Sequence, residues 1–371
     1  MNILHATTFL NGGAGKILVD LALLQVEAGH QVWVIANKSE FDGHSHYQEQ
    51  IERLKDAGVP FETYDSLFKR NPVLNRKAAM DIRSRFSALT RIDVVHSHAS
   101  VPAKTCKLAF SNLHPKPFSI QTMHGWGLNK TKAMEEEDVE TMNFLDGVVV
   151  LNESGRNLLI SKGVKKSLLH IIANGVSTEI PPISEERIEI SQFLKSRKWD
   201  MKFLCVGEVG ERKNQLFLMR AIKKLNQRGV TCCTVFMGPE QNEGYYDNCI
   251  KANGVDEFCF WTGEIHSACS YMPYFDAVVL PSKSEGMPLS IIEAFRANVL
   301  VFGSRIPEIK ELLSDQRGYL FDIESTEEFV ELVTFFDWSS VHKIIQKAHT
   351  FYSNKYTLST MCDSYLKLYK S

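Results

Sequence analysis

The chain has 371 residues, of which 44% are hydrophobic and 23% charged, a balance typical of globular proteins and not of disordered, collagen-like or coiled-coil chains. This length is sufficient for two domains with separate hydrophobic cores. Its 42 lysines and arginines nearly balance its 44 aspartates and glutamates, so the net charge of −2 argues against a nucleic-acid partner.

The first half of the chain alternates short apolar runs with longer amphipathic stretches. It starts with the strand-like run NILHAT, continues with a helical stretch from Lys16 to Ala28, and returns to a strand-like run, QVWVIA, at Gln31. The later strand-like runs of this half are Asp93–His96, Phe118–Met123, Gly147–Leu151 and Leu168–Ala173. The alternation predicts βαβ units in one open parallel sheet.

The pattern breaks near Val176, where the segment NGVSTEIPPISEE is rich in proline and polar residues. A second series of strand-like runs then follows: Phe203–Val206, Thr234–Met237, Phe258–Trp261, Ala277–Leu280, Val299–Phe302 and Tyr319–Phe321. We therefore predict an α/β protein with two Rossmann-like domains, residues 1–180 and 181–352. Residues 353–371 are predicted to form a C-terminal helix, because Tyr356, Met361, Tyr365, Leu366 and Tyr369 have helical spacing.

The most informative motif is LPSKSEGMPLSIIEAF, in which a strand ends in a Pro-Ser turn and a helix begins around Pro288. The start of a helix presents backbone N–H groups and the positive end of the dipole, which suit a diphosphate. Glu285 lies before this helix start and Glu293 lies after it. The motif therefore predicts a phosphate site with a carboxylate on either side.

This arrangement, with seven residues between the two glutamates after Leu-Pro-Ser, resembles the retaining GT-B glycosyltransferases of family 4. Gly12-Gly13 after the first strand, DVVHSH, TMHGW and Asn174-Gly175-Val176 match the same family in the same order, so the resemblance covers nearly the whole chain. It implies two domains that face each other across a cleft, with the last helix crossing back to the N-terminal, acceptor-binding domain.

The activity that the resemblance implies is metal-independent hexosyl transfer with retention and without a cofactor. The donor would be a UDP- or GDP-linked sugar bound by the C-terminal domain. The acceptor would be a hydroxyl group of a glycan or lipid-linked saccharide, and the setting bacterial O-antigen or capsule assembly. A sugar-nucleotide epimerase and a non-catalytic GT-B binding protein are the alternatives.

The resemblance also assigns roles to individual residues. Glu285 would contact the hydroxyls of the donor sugar, Glu293 would bind the nucleotide ribose, and His124 would lie beside the transferred sugar. The remaining donor-binding residues would be Gly207, Gly286, Met287, Pro288 and Leu289, and Gly12 and Gly13 would form a phosphate or acceptor loop.

Two cations are expected to neutralise the donor diphosphate as it leaves. Lys213 occupies the position of the family's lysine, but Glu208 stands where the family has arginine. We therefore expect Arg212 to supply the missing charge, with a helix-surface role as the alternative. Glu208 is also the one feature that favours a non-catalytic relative.

Other motifs point to structure rather than chemistry. The segment Gly12–Lys16 is not a P-loop, because a Walker A motif would need glycine at Leu10 and serine or threonine at Ile17. The pairs His44/His46 and His96/His98 have no further ligand at zinc spacing, so we expect structural or surface roles and no metal. The eight cysteines are expected to be buried free thiols in a reducing cytosol.

The chain is expected to be cytoplasmic, because it shows neither a signal-peptide pattern nor an apolar run of about 18 residues. A group of basic residues offers either a face for the anionic lipids of the inner membrane or an ordinary solvated helix face: Lys69, Arg70, Arg76, Lys77, Arg83 and Arg85, with Phe68 and Phe86 nearby.

Overall fold

The computed structural model describes residues 1–41, 45–87, 91–127, 130–183, 187–265 and 267–371, so His44 lies outside the described residues. The chain forms two compact units. Unit 1 contains Met1–Gly175 and Leu358–Ser371, and unit 2 contains Val176–Thr357.

Unit 1 is built on a parallel sheet of seven strands: β1 (Asn2–Ala6), β2 (Gln31–Asn37), β3 (Phe61–Tyr64), β4 (Val94–Ser97), β5 (Phe118–Met123), β6 (Gly147–Val150) and β7 (Leu169–Ile171). The strand order is β3-β2-β1-β4-β5-β6-β7. Its first helices are α1 (Gly12–Glu27), α2 (Gln48–Asp56), α3 (Pro72–Ser87), α4 (Ser100–Phe110), α5 (Lys132–Asn143) and α6 (Glu153–Ser161).

Unit 2 has a parallel sheet of six strands: β8 (Met201–Val206), β9 (Cys232–Met237), β10 (Cys259–Trp261), β11 (Ala277–Leu280), β12 (Leu300–Ser304) and β13 (Tyr319–Phe321). The order is β10-β9-β8-β11-β12-β13. Its helices are α7 (Ile188–Lys195), α8 (Gln215–Gln227), α9 (Tyr245–Asn253), α10 (Leu289–Arg296), α11 (Pro307–Leu313), α12 (Thr326–Thr334) and α13 (Val341–Lys355). Short 3-10 helices occupy Lys166–Leu168 in unit 1 and Ala268–Tyr274 and Trp338–Ser340 in unit 2.

The last helix, α14 (Leu358–Leu368), returns to unit 1, where it packs against α1. The apolar stripe predicted over residues 353–371 is therefore divided between two helices, because α13 ends at Lys355 and α14 begins at Leu358. Val176 contacts the residues between the two helices: its N–H donates to the carbonyl of Tyr356 at 2.8 Å and it bridges to Thr357. The boundaries between the two units along the chain are Gly175/Val176 and Thr357/Leu358, each five residues from the predicted boundary.

Both predicted series of parallel strands are present, which confirms the α/β fold class. The eight cysteines are free, and all except Cys249 are buried. Burial raises the pKa of Cys106 and Cys205 to about 12, so these thiols stay protonated and unreactive at neutral pH. Within the described part of the chain, no helix is both long enough and apolar enough to cross a membrane.

Candidate active site

The topology of each sheet marks one place where a ligand is expected. In an open parallel sheet, ligands bind beyond the carboxyl ends of the strands, where the strand order reverses. This switch point lies between β1 and β4 in unit 1 and between β8 and β11 in unit 2. The predicted site residues follow these strands and their neighbour β5.

In unit 2, the loop after β8 and the loop after β11 are hydrogen-bonded to each other. The N–H of Lys283 donates to the carbonyl of Arg212 at 2.9 Å, and the side-chain amide of Asn214 donates to the carbonyl of Pro281 at 3.1 Å. Asn214 has a φ of 59°, a left-handed conformation that asparagine tolerates better than most residues. These bonds therefore hold the two loops against each other.

Three of the predicted catalytic side chains meet between these loops. The Lys213 Nζ donates to Glu285 Oε1 at 2.7 Å, and an Arg212 guanidinium nitrogen lies 3.6 Å from Glu285 Oε2. The Glu285 side chain is only 6% exposed and that of Lys213 14%, whereas that of Arg212 is 40% exposed. Arg212 also donates to the carbonyl of Ser284 at 3.1 Å. The structure thus places Arg212 in the site, while Glu208 is exposed.

Glycine is needed where the backbone passes closest to these groups. Gly207 has a φ of +140°, and a Cβ there would lie 3.2 Å from the Lys213 Cε. A Cβ on Gly238, at the end of β9, would lie 2.2 Å from the Gly207 carbonyl oxygen. Larger residues at either position would displace the loop that carries Lys213.

The helix predicted near Pro288 is α10, with Pro288 as its N-cap and Leu289 as its first residue. Gly286 and Met287 lie in the loop that leads into it, beside Glu285. Glu293 lies within α10 and is largely buried, with 8% of the residue exposed. The positive end of the α10 dipole and the cations of the neighbouring loop suit an anionic ligand.

Unit 1 contains a chain of hydrogen-bonded histidines at its own switch point. The His5 Nε2 bonds to the Gln25 Oε1 at 2.8 Å, the His5 Nδ1 to the His98 Nε2 at 3.0 Å, and the His98 Nδ1 to the His124 Nε2 at 2.9 Å. His5 lies in β1, His98 follows β4 and His124 follows β5, so three adjacent strands supply the rings.

His96 belongs to a second branch of this network. Its Nδ1 bonds to the Tyr369 hydroxyl and its Nε2 to the Thr122 hydroxyl, both at 2.7 Å, and Thr122 also bonds to Tyr365 at 2.9 Å. Gln25 joins the two branches, because its Nε2 donates to the Tyr369 hydroxyl at 3.3 Å. Tyr365 and Tyr369 come from α14 and the residue that follows it.

Burial keeps these rings neutral. It lowers the pKa of His5 and of His124 to about 4, and it lowers the pKa of His96 and His98 well below the usual range. His5, His96 and His98 are the one group of three potential metal ligands found among the described residues, with ligating atoms within 4.8 Å of one another. All six of their ring nitrogens already have hydrogen-bond partners, so a metal ion would have to displace those bonds.

Sequence spacing alone missed His5 and Gln25. It treated His96 and His98 as an isolated pair, because the proximity of His5 depends on β1 lying next to β4 in the sheet. The loop predicted at Gly12 and Gly13 is the exposed start of α1, with a φ of +56° at Gly12. It follows β1 and so lies at the same edge of the sheet as the histidines.

Two family descriptions match the chain: Glycosyltransferase Family 4 over residues 11–180, and Glycosyl transferases group 1 over residues 200–335. The O-antigen biosynthesis glycosyltransferase WclY of Escherichia coli is 28% identical over 124 residues, which is 33% of this chain and 35% of that protein. The UDP-Gal:alpha-D-GlcNAc-diphosphoundecaprenol alpha-1,3-galactosyltransferase of E. coli is 23% identical over 256 residues, 65% of each chain. The chain thus matches less than two thirds of the length of these relatives.

Among solved structures, HepE of Anabaena in complex with UDP and glucose has a similar fold. Its TM-score is 0.80 at 16% identity, and the match covers 99% of both chains. At this identity the similarity establishes the fold of the chain alone.

Proposed function

Because this chain belongs to the GT-B glycosyltransferases of family 4, we propose that it transfers a hexose from a UDP-sugar to a hydroxyl group of a lipid-linked saccharide. The UDP group is supported by HepE, which was crystallised with UDP and glucose, and by the E. coli galactosyltransferase, whose name specifies UDP-Gal. The lipid-linked acceptor is supported by the diphosphoundecaprenol in that same name. The proposed setting is the assembly of O-antigen or capsule, in line with the name of WclY.

The observation that carries this proposal is the meeting of Arg212, Lys213 and Glu285 at the switch point of unit 2. A diphosphate leaving group accumulates negative charge as the glycosidic bond breaks, and fixed cations stabilise that charge. Lys213 and Arg212 would serve this purpose together with the start of α10. Glu293, further along α10, would bind the ribose.

We propose that transfer occurs with retention on one face of the sugar. The bond between the anomeric carbon and the diphosphate oxygen breaks while the acceptor oxygen bonds to the same face of that carbon. The acceptor proton passes to the leaving phosphate oxygen. Glu285 is less suited to act as a nucleophile, because one carboxylate oxygen accepts a hydrogen bond from Lys213 and the other lies beside Arg212.

Thermal unfolding in the presence of UDP, GDP, ADP and dTDP tests the donor site. UDP at 100 times its dissociation constant should stabilise the domain that binds it by about 2.7 kcal/mol. Calorimetry should show that Glu293→Ala weakens UDP binding by about 1.5–3 kcal/mol, as expected for loss of a charge-assisted hydrogen bond. Glu324→Ala, an exposed carboxylate of the same unit, is the matched control. Equal UDP affinity in Glu293→Ala and the wild type would refute the ribose assignment.

Transfer from radiolabelled UDP-hexoses to a saccharide-diphosphate lipid tests the reaction itself. We expect a labelled lipid product with the anomeric configuration of the donor, and undiminished activity in EDTA because the proposed mechanism uses only protein cations. Conversion of the UDP-sugar without an acceptor would identify an epimerase. UDP binding without any turnover would favour a non-catalytic protein. Loss of activity in EDTA that manganese or magnesium restores would contradict metal independence.

We also propose that α3 brings unit 1 to an anionic membrane that contains the acceptor. Val73 is 75% exposed and Met80 is 72% exposed on this helix, and Arg76, Lys77 and Arg83 are exposed among them. Apolar side chains framed by cations suit the boundary between acyl chains and anionic headgroups.

A further inference from the structure

The histidine chain in unit 1 has a direction that depends on Gln25. The Gln25 side chain is fully buried, and its Nε2 donates to the Tyr369 hydroxyl, so its Oε1 faces His5 as an acceptor. The His5 Nε2 must then carry the proton, and the unprotonated His5 Nδ1 can only accept a hydrogen bond. Because each neutral imidazole has one donor and one acceptor nitrogen, the tautomer of His5 determines the tautomer of each following histidine.

The same rule fixes the protons of the next two rings. The His98 Nε2 donates to the His5 Nδ1, so the His98 Nδ1 accepts from the His124 Nε2. The His124 Nδ1 is therefore an unprotonated acceptor, and it has no hydrogen-bond partner among the described residues. The opposite direction would leave an unpaired N–H at this position, which buried sites tolerate less well than an unpaired acceptor.

The backbone next to His124 adjoins open space. A Cβ on Gly125, the residue after His124, would meet no atom within 4 Å. His124 itself is partly exposed, whereas His5 and His98 are buried. The His124 Nδ1 is itself buried, and a buried acceptor without a partner is unusual, so a ligand hydroxyl that reached it would supply the missing hydrogen bond.

We propose that Gln25 and Tyr369 are positioning residues that fix the tautomers of His5, His98 and His124, so that His124 presents its Nδ1 lone pair to a saccharide hydroxyl. The identity of that hydroxyl rests on the proposed function, whereas the tautomers are a property of the protein alone. Tyr369 follows α14, so in this proposal a residue of the C-terminal segment fixes the tautomer of a histidine at the switch point of the same unit.

The ¹⁵N NMR chemical shifts of the imidazole nitrogens at neutral pH report the tautomers without any substrate. Each wild-type ring of the chain should show a protonated Nε2 and an unprotonated Nδ1. A proton on the Nδ1 of any of these three rings, or averaging between the two nitrogens, would overturn the proposal. This measurement uses the intact wild-type protein and so does not depend on a variant that folds.

Two variants remove the contacts that set which nitrogen of each histidine carries the proton. Gln25→Met removes both the acceptor for His5 and the donor to Tyr369, and Tyr369→Phe removes the partner that orients the Gln25 amide. Both should populate the Nδ1–H form along the chain. Thr122→Val is the matched control, because Thr122 bonds to His96 in the other branch and its loss should leave the three tautomers unchanged. Unchanged tautomers in folded Gln25→Met would refute the role of Gln25.

Kinetics separates this proposal from the proposed function. Gln25→Met should change KM or kcat for transfer by roughly 3- to 10-fold, the equivalent of one hydrogen bond. Its affinity for UDP alone, which would bind unit 2, should equal that of the wild type. If the wild type transfers no sugar, the proposed function fails while the NMR result still decides the tautomers. Transfer by Gln25→Met at the wild-type rate, with altered tautomers, would refute the link to saccharide binding.

Discussion

Lys213 and Glu285 show how two charged side chains are held together at the proposed donor site. Their ion pair is 2.7 Å long and both side chains are largely buried, so each depends on the other for its charge to be tolerated. Arg212 lies beside the pair and is far more exposed. A diphosphate would therefore meet one cation that is tightly held and one that has greater freedom to move.

Substitution of these cations should separate catalysis from stability. Lys213→Ala should abolish most transfer and also lower the melting temperature, because Glu285 is left buried without its partner. Lys213→Arg should retain part of both, and Arg212→Ala should lose an intermediate share of activity with little change in melting. Initial rates and thermal unfolding of the three variants provide the measurement. Full activity in Arg212→Ala would show that it does not replace the arginine missing at Glu208.

The buried histidines predict how stability depends on pH. The folded-state pKa of His5 and of His124 is about 4, below the ordinary histidine value of 6.5, so the unfolded chain binds more protons between these values. The free energy of unfolding should therefore fall as pH decreases from about 6.5 towards 4. Each such histidine should contribute about 1.4 kcal/mol per pH unit in the middle of this range.

Urea denaturation at several pH values between 5 and 6.5 measures this slope. Removal of one ring, as in His96→Asn, should reduce it, since the burial that lowers the pKa of His96 acts in the same direction. His342→Asn, on an exposed part of α13, should leave the slope unchanged. Stability that is constant over this pH range would show that the four rings are not buried as neutral groups.

Sequence motifs identified the charged residues of unit 2 better than the polar network of unit 1. Glu285 and Lys213 belong to contiguous motifs beside strand ends, and their proximity follows once β8 and β11 are neighbours. His124 bonds to His98, after β4, and is linked through it to residues of β1, α1 and the segment after α14, which are far apart in the chain. No local pattern in the sequence marks Gln25 as the residue that joins them.

At the level of elements, the apolar and alternating strands were predictable, whereas the edge of the sheet was not. β3, FETY, is an edge strand with no buried residue, so it lacks the apolar run that marks its neighbours. α3 presents the opposite case, since its basic residues were visible but their roles were not. Arg85 of α3 pairs with Glu62, and Arg70, which precedes α3, pairs with Glu137 and Asp138, so both arginines are engaged in ion pairs within unit 1.

This division of roles defines a test of membrane binding by α3. Replacement of Arg76, Lys77 and Arg83 by serine should weaken binding to vesicles that contain anionic lipid by about 1 kcal/mol per residue, and melting should not change. Serine at Lys195, Lys198 and Lys251, exposed cations of unit 2, is the matched control. Sedimentation with anionic and zwitterionic vesicles measures the difference. Equal binding by the two triple variants would leave α3 as an ordinary solvated surface.

At the level of the whole molecule, unit 1 is assembled from both ends of the chain. The segment after Thr357 belongs to it, and Met361 and Tyr365 are each 1% exposed there. The Gly175 N–H lies 3.3 Å from the Met361 sulfur, next to the point where the chain leaves unit 1. The apolar spacing of the last residues predicted a buried helix but not its first residue, and the pairing of Val176 with Thr357 lies directly before that helix begins.

Deletion of residues 358–371 should therefore unfold unit 1 while unit 2 stays folded. The deletion removes five buried side chains, Met361, Cys362, Tyr365, Leu368 and Tyr369. Large side chains of this kind contribute about 1.5–3 kcal/mol each, so their sum is comparable with the 5–15 kcal/mol that stabilises a typical domain. Tyr356 and Thr357 are retained, because their contacts with Val176 belong to unit 2.

Calorimetry with and without UDP distinguishes the two units in this truncated protein. We expect the unfolding transition of unit 1 to disappear, and the remaining transition to move to higher temperature when UDP is added, because the proposed nucleotide site lies wholly in unit 2. Transfer activity should be lost. Removal of only the exposed Lys370 and Ser371 is the control and should change neither transition. Wild-type melting after deletion of residues 358–371 would show that α14 is dispensable for unit 1.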